Sequence, residues 1–218
     1  AILFDLRLGN AHVRPDAAMG YHACCAATDA DIEEGSVGAG TGATIGKLFG
    51  IAQGMKSGIG TAILELDGGI RVASLVAVNA FGNVCDPKTG ALLAGARHSP
   101  DSAELVDVAA VMRRGASPVG YRGENTTLAV IATNARLTKV QAAKVSQLAQ
   151  QGMVRAISPV HTTLDGDLVI TLAKGERECD VNAVGLAAAD AIAAAIIRAV
   201  KSARTLGGIP AWRDLFRC

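Results

Sequence analysis

At Gly123-Glu124-Asn125-Thr126-Thr127-Leu128-Ala129-Val130 a polar stretch stops at a hydroxyl residue that opens an apolar run. A threonine hydroxyl is a poor nucleophile at neutral pH and needs a base beside it. Cleavage of the Asn125–Thr126 bond would supply one, because the freed α-amino group of Thr126 sits next to its own Oγ1. Its pKa of about 8 suits a general base. The same hydroxyl can make the cut by attacking the preceding carbonyl. The alternative is conformational: threonine favours strands, and on that reading this pair simply begins one.

Other residue groups bear on other chemistries. GSVGAGTGATIGK (35–47) is dense in glycine, but a phosphate-binding P-loop needs glycine where Thr41 stands and a hydroxyl where Leu48 follows Lys47. Gly38-x-Gly40-x-x-Ala43 resembles a dinucleotide fingerprint, yet no strand precedes it. Two readings stay open: a loop against which another backbone packs closely, or one that delivers Lys47 to a site. His12, His22, His98 and His161 leave a Ser-His-Asp triad open, but no Gly-x-Ser-x-Gly elbow accompanies them. Asp165-Gly166-Asp167 reads either as paired carboxylates or as a tight turn before a strand. Cys24, Cys25, Cys85, Cys179 and Cys218 form no CxxC and no zinc spacing, so reduced thiols and a cytoplasmic chain are expected. Cys24 and Cys25 are expected to be small core residues of a helix.

The elements that would position these groups come from a chain of 218 residues, half of them hydrophobic but only 3% aromatic. With 21 Lys+Arg against 20 Asp+Glu, no basic excess exists to displace counterions, which argues against nucleic-acid binding. Strands are predicted at 1–6, 60–66, 70–79, 126–133 and 168–173, with Asp67-Gly68-Gly69 as a hairpin turn. Helices are predicted from Pro15 to Asp29, over 139–157 with Thr138 as cap, and over 181–203. Residues 83–95 read as a turn and 96–124 as a surface loop. The stretch 181–200 carries Asn182, Asp190 and Arg198, so a buried amphipathic helix is expected there, not a membrane span. Hairpin strands followed by helices indicate a layered α+β fold.

Taken together, Asn125-Thr126-Thr127, ATNARLTKVQA (132–142), PVHTTLDGD (159–167), GSVGAGTGATIGKL (35–48) and VAVNAFGNVCDPKTG (76–90) resemble the L-aminopeptidase/D-esterase family of self-cleaving N-terminal-nucleophile hydrolases. That family includes β-peptidyl aminopeptidases and nylon-oligomer hydrolases. The resemblance spans nearly the whole chain and implies a four-layer αββα sandwich, a homo-oligomer, no metal or organic cofactor, and a small peptide or amide substrate. It also implies one domain over 1–218, cut into a larger part, 1–125, and a smaller part, 126–218. Family members extend further at the N-terminus, so a longer N-terminal part is expected.

By this resemblance Thr126 is the nucleophile, Asn125 the last residue of the larger part, and Asn79 the oxyanion donor. Lys47 matches a lysine beside the nucleophile in the nylon-hydrolase branch. Asp165 and Asp167 would position the Thr126 amine or hold a substrate amine. Two departures matter. Phe4 stands where some members carry a tyrosine that assists the oxyanion, and the aspartate pair looks more like the oligo-amide hydrolases than the aminopeptidases. Acyl transfer of the ornithine acetyltransferase type, and a fold that has lost processing, are the competing readings.

Overall fold

The computed structural model describes residues 2–119 and 125–216. Its strands are β1 (Thr44–Ile45), β2 (Met55–Lys56), β3 (Ile59–Leu66), β4 (Ile70–Asn79), β5 (Asn83–Cys85), β6 (Leu92–Ala94), β7 (Thr126–Ala135), β8 (Ile157–Ser158) and β9 (Leu168–Arg177). Its helices are α1 (Ala17–Cys25), α2 (Val108–Arg113), α3 (Lys139–Ala156), α4 (Val181–Ser202) and α5 (Trp212–Phe216). The main sheet has the order β3-β4-β7-β9, antiparallel except for the parallel pair β7/β9. A smaller sheet, β6-β5-β8, and the pair β1/β2 flank it.

The β3–β4 hairpin turns through Gly68 and Gly69 at φ of 75° and 71°, the left-handed region that glycine enters without steric cost. Along β4 the inward residues Val72, Ser74, Val76 and Val78 are buried, while Arg71 and Leu75 point the other way. This is the period-two alternation of a sheet packed on one face. That face is covered by α3 and α4. Thr138 and Gln141 form a reciprocal capping box at the start of α3, and Val145, Ala149, Gly152, Met153 and Ala156 make its buried stripe.

The abundance of Ala and Gly has a packing reason. A Cβ on Gly60 would run into the backbone of Ala195, and one on Gly152 into that of Ala189. So α4 lies flush on β3 and against α3 because those positions carry no side chain. By length and composition α4 resembles a membrane span, but 67% of its most apolar window is buried inside the protein. It is the core helix that its sequence indicates.

Several expectations are corrected. Residues 2–6 form no strand. The helix near Pro15 is confined to Ala17–Cys25, buries nothing, and exposes both Cys24 and Cys25, which are not core residues. The stretch 83–95 is a hairpin, β5–β6, around an Asp86–Gly90 turn. Residues 96–119 are not simply surface: α2 buries Val108 and Ala109, and Arg97 is buried with its guanidinium on the carbonyls of Ala52, Gly54, Pro100 and Ser102. Residues 120–124 of that expected loop, and Cys218, lie outside the described residues. The strand expected over 168–173 runs on to Arg177.

Candidate active site

The end of the main sheet gathers the groups picked out in the sequence. In the antiparallel register of β4 and β7 the last pair is Asn79 opposite Thr126. On the other side of β7 the parallel register with β9 continues past the strand ends to an Asn125–Asp165 bridge. Strand pairing alone therefore brings 79, 125–127 and 165–167 together.

Thr126 is 2% exposed, and its Oγ1 donates to the carbonyl oxygen of Asn125 at 2.7 Å. The same oxygen accepts the backbone N–H of Gly166 at 2.8 Å. The Asn125 amide donates to Leu164 O at 3.2 Å, whereas Asn125 Oδ1 and Thr127 Oγ1 are buried without a hydrogen-bond partner among the described residues.

Asn79 is held on all sides. Its Oδ1 accepts from Lys47 Nζ at 2.8 Å and from Thr44 N at 3.0 Å, while its Nδ2 donates to Phe4 O at 3.0 Å. Two donors on one face of the amide fix which end is oxygen, so Nδ2 is presented as a donor. Phe4 thus contributes a backbone carbonyl where a tyrosine hydroxyl was the comparison.

Lys47 also donates to Asn79 O, at 3.1 Å. The glycine loop delivers it: Gly46 N and Lys47 N donate to the carbonyls of Gly82 and Phe81, each at 3.0 Å. Gly46, at φ of 71°, lies against the backbone of Gly95 and Ala96. The close-packing reading of that loop holds, and the loop also sets Lys47 against Asn79. Its own N–H groups turn inward, with Gly40, Thr41 and Ala43 donating to Val37, Gly38 and Gly40, so they form no phosphate cradle.

The two carboxylates are fixed differently. Asp165 accepts from Thr162 Oγ1 at 2.6 Å and Thr162 N at 3.1 Å through one oxygen, and from Phe81 N at 3.2 Å through the other. Burial raises its pKa above the usual carboxylate value, the Thr162 hydroxyl pulls the other way, and the neighbouring Asp167 adds to the rise. The Asp167 side chain is almost fully buried. Its Oδ1 takes the N–H of Thr127 at 2.7 Å, and its Oδ2 takes the N–H of His161 at 3.2 Å and meets His161 Nδ1 at 2.9 Å. His161 has a φ of 54°, rare for a residue with a side chain. An Asp–His pair is therefore present, but among the described residues no serine hydrogen-bonds His161.

Sequence reasoning missed Lys56. It is fully buried, and its Nζ donates to Thr41 O at 2.8 Å and Ala43 O at 2.7 Å, bracing the segment that ends in Thr44. Burial lowers its pKa from 10.5 to about 8, partly opposed by Asp5. Among the described residues no group of three His, Cys, Asp or Glu could hold a metal ion.

Comparison with known proteins gives a consistent picture. The family model "Peptidase family S58" matches residues 1–211. An uncharacterized aminopeptidase of Mycobacterium tuberculosis is 38% identical over 239 residues, covering 99% of this chain and 66% of that protein. A 6-aminohexanoate-oligomer endohydrolase of Kocuria is 26% identical over 220 residues, covering 92% and 60%. The chain thus spans about two thirds of the length of these curated relatives. Among solved structures, a Burkholderia beta-aminopeptidase superposes with TM-score 0.60 at 24% identity, covering 94% of this chain and 59% of that one. The L-aminopeptidase D-Ala-esterase/amidase of Ochrobactrum anthropi, described as a variant of the Ntn-hydrolase fold, gives 0.58 at 24%, covering 88% and 51%. At that identity the likeness shows the fold alone: α+β, of the Ntn-hydrolase type, as the sequence implied. The described residues supply its main sheet with one helix layer. The opposite face of the sheet exposes Ile63, Leu75, Ile170 and Leu172.

Proposed function

Because the chain belongs to peptidase family S58, matched over residues 1–211, we propose that it is a self-processing hydrolase of small peptides, amides or esters. It acts through an acyl-enzyme on Thr126, the N-terminus created by its own cut. The observation that carries this reading is the Thr126 hydroxyl, 2.7 Å from the Asn125 carbonyl oxygen and directly across the sheet from Asn79. The names of the relatives support the class of reaction.

In the cut, Oγ1 adds to the Asn125 carbonyl carbon, its proton passes to the Thr126 nitrogen, and the C–N bond breaks to leave an ester. Water adds to that ester, releasing Asn125 as a carboxylate and Oγ1 as a hydroxyl. In turnover the freed α-amine takes the Oγ1 proton as Oγ1 attacks the substrate carbonyl, then returns it to the leaving amine or alkoxide. Asn79 Nδ2 donates to the oxyanion, and Lys47, bonded to Asn79 Oδ1, holds and polarises that amide. Asp167, already bonded to Thr127 N, retains acceptor capacity for the Thr126 ammonium one residue up the chain. Water deacylates the enzyme.

A second reading concerns the substrate. The oxygens of Asp165 are taken up by Thr162 and Phe81, and those of Asp167 by Thr127 and His161. Beyond the Thr126 ammonium that Asp167 can accept, both carboxylates serve the protein, which favours amide oligomers over substrates anchored by a free amino group. A homo-oligomer in the cytoplasm is expected for the whole protein, and light scattering would check the first part. The test of function is a screen of aminoacyl amides and 6-aminohexanoate oligomers beside a Thr126→Ala control. Hydrolysis by the parent chain alone supports the reading; turnover retained by Thr126→Ala overturns it.

A further inference from the structure

The carbonyl to be cut is itself a rung of the sheet. From Leu128 opposite Leu168 to Thr133 opposite Ala173 the β7/β9 register keeps one offset, and Asn125 opposite Asp165 keeps the same one. In this parallel ladder the Gly166 N–H donates to Asn125 O at 2.8 Å. One step on, the regular pattern is broken, because Thr127 N donates to the Asp167 side chain. The scissile carbonyl thus sits on an isolated bridge in the same register, set apart from the regular ladder by that break.

We propose that the backbone N–H of Gly166 is the oxyanion donor for the self-cleavage step, a role separate from that of Asn79 in turnover. The inference rests on the self-cleaving reading above. When Oγ1 leaves its hydrogen bond with Asn125 O to form the Oγ1–C bond, the carbonyl π pair moves onto that oxygen. The Gly166 N–H is already aimed at it and needs no rearrangement. Collapse of the oxyanion restores the carbonyl as the C–N bond breaks and the Thr126 nitrogen keeps the proton received from Oγ1.

Asn79 is placed otherwise: among the described residues its amide bonds Lys47, Thr44 and Phe4. A Cβ at position 166 would stand 3.0 Å from Thr126 Oγ1 and 3.8 Å from Asn125 O, a tight fit against the attacking oxygen itself.

The test removes only the N–H. Gly166 is replaced by glycolate in the full chain, turning one amide into an ester, and the rate of the cut is followed by intact mass. The matched exchange at Ile170, in the same ladder, controls for a weakened strand, and thermal melts compare the two folds. The expected result is a cut slowed about 100-fold or more in the position-166 ester, with the position-170 ester close to the parent. Equal rates in all three chains, or equal slowing in both esters, overturn the assignment. A parent chain that never cuts overturns the self-cleaving reading, and this inference with it.

Discussion

Lys47 Nζ lies 2.8 Å from the side-chain oxygen of Asn79 and 3.1 Å from its backbone oxygen, so one ammonium holds the residue that faces Thr126 by both its carbonyls. In the proposed reaction the lysine keeps the amide nitrogen turned outward as a donor. Asn79→Ala removes the donor and is expected to lower kcat by about 100- to 1,000-fold. Lys47→Met leaves the amide held less firmly, by Thr44 N and Phe4 O, and is expected to fall between that and the parent. Steady-state kinetics on the best substrate of the screen decide it. A Lys47→Met chain with unchanged kcat would refute the link.

His161 clamps the carboxylate that holds Thr127. Removing its ring leaves Asp167 Oδ2 with the backbone N–H of residue 161 and the start of β7 less firmly placed. His161→Ala is therefore expected to lower kcat by about 10- to 100-fold with little change in KM, since small misplacements near the reacting atoms are costly. His161→Asn tolerates the same left-handed backbone, and is expected to recover part of the loss. A change confined to KM would mean that His161 meets substrate instead.

Lys56 makes stability depend on alkaline pH. Its folded pKa of about 8 lies below its ordinary 10.5, so between those values the unfolded chain binds more protons than the folded one. Stability from this group therefore rises with pH across the window, by up to roughly 3 kcal/mol once complete. Denaturant midpoints at pH 7.5 and 10 would show the rise in the parent and its absence in Lys56→Met.

Gly60→Ala tests the packing of α4 on the sheet. The new methyl would meet the backbone of Ala195 and Ala199, and overpacking of this kind costs about 1–3 kcal/mol or more. A melting temperature equal to the parent's would show that α4 shifts freely.

Much of this was legible in the sequence because the signals were local. Asp67-Gly68-Gly69 can turn a hairpin by itself, and Thr138 with Gln141 caps a helix within four residues. Thr126 stood out through an abrupt change from polar to apolar. What escaped was long-range. Lys56 and Arg97 look like surface cations, and only the carbonyls of distant loops, as at Gly54 for Arg97, give them buried partners. The apolar run at 1–6 suggested a strand, yet its chain passes across the site and lends Asn79 the carbonyl of Phe4. Pro15 and Asp16 mark a helix start correctly, but nothing in that local signal says whether the helix has anything to pack on, and α1 buries no residue.

The most direct test of the account is the intact mass of the full-length chain after overnight incubation, beside Thr126→Ala. The account predicts two fragments whose masses place the break between Asn125 and Thr126, and a single uncut Thr126→Ala chain. A parent chain that stays whole, or a Thr126→Ala chain that is cut at the same bond, would contradict it.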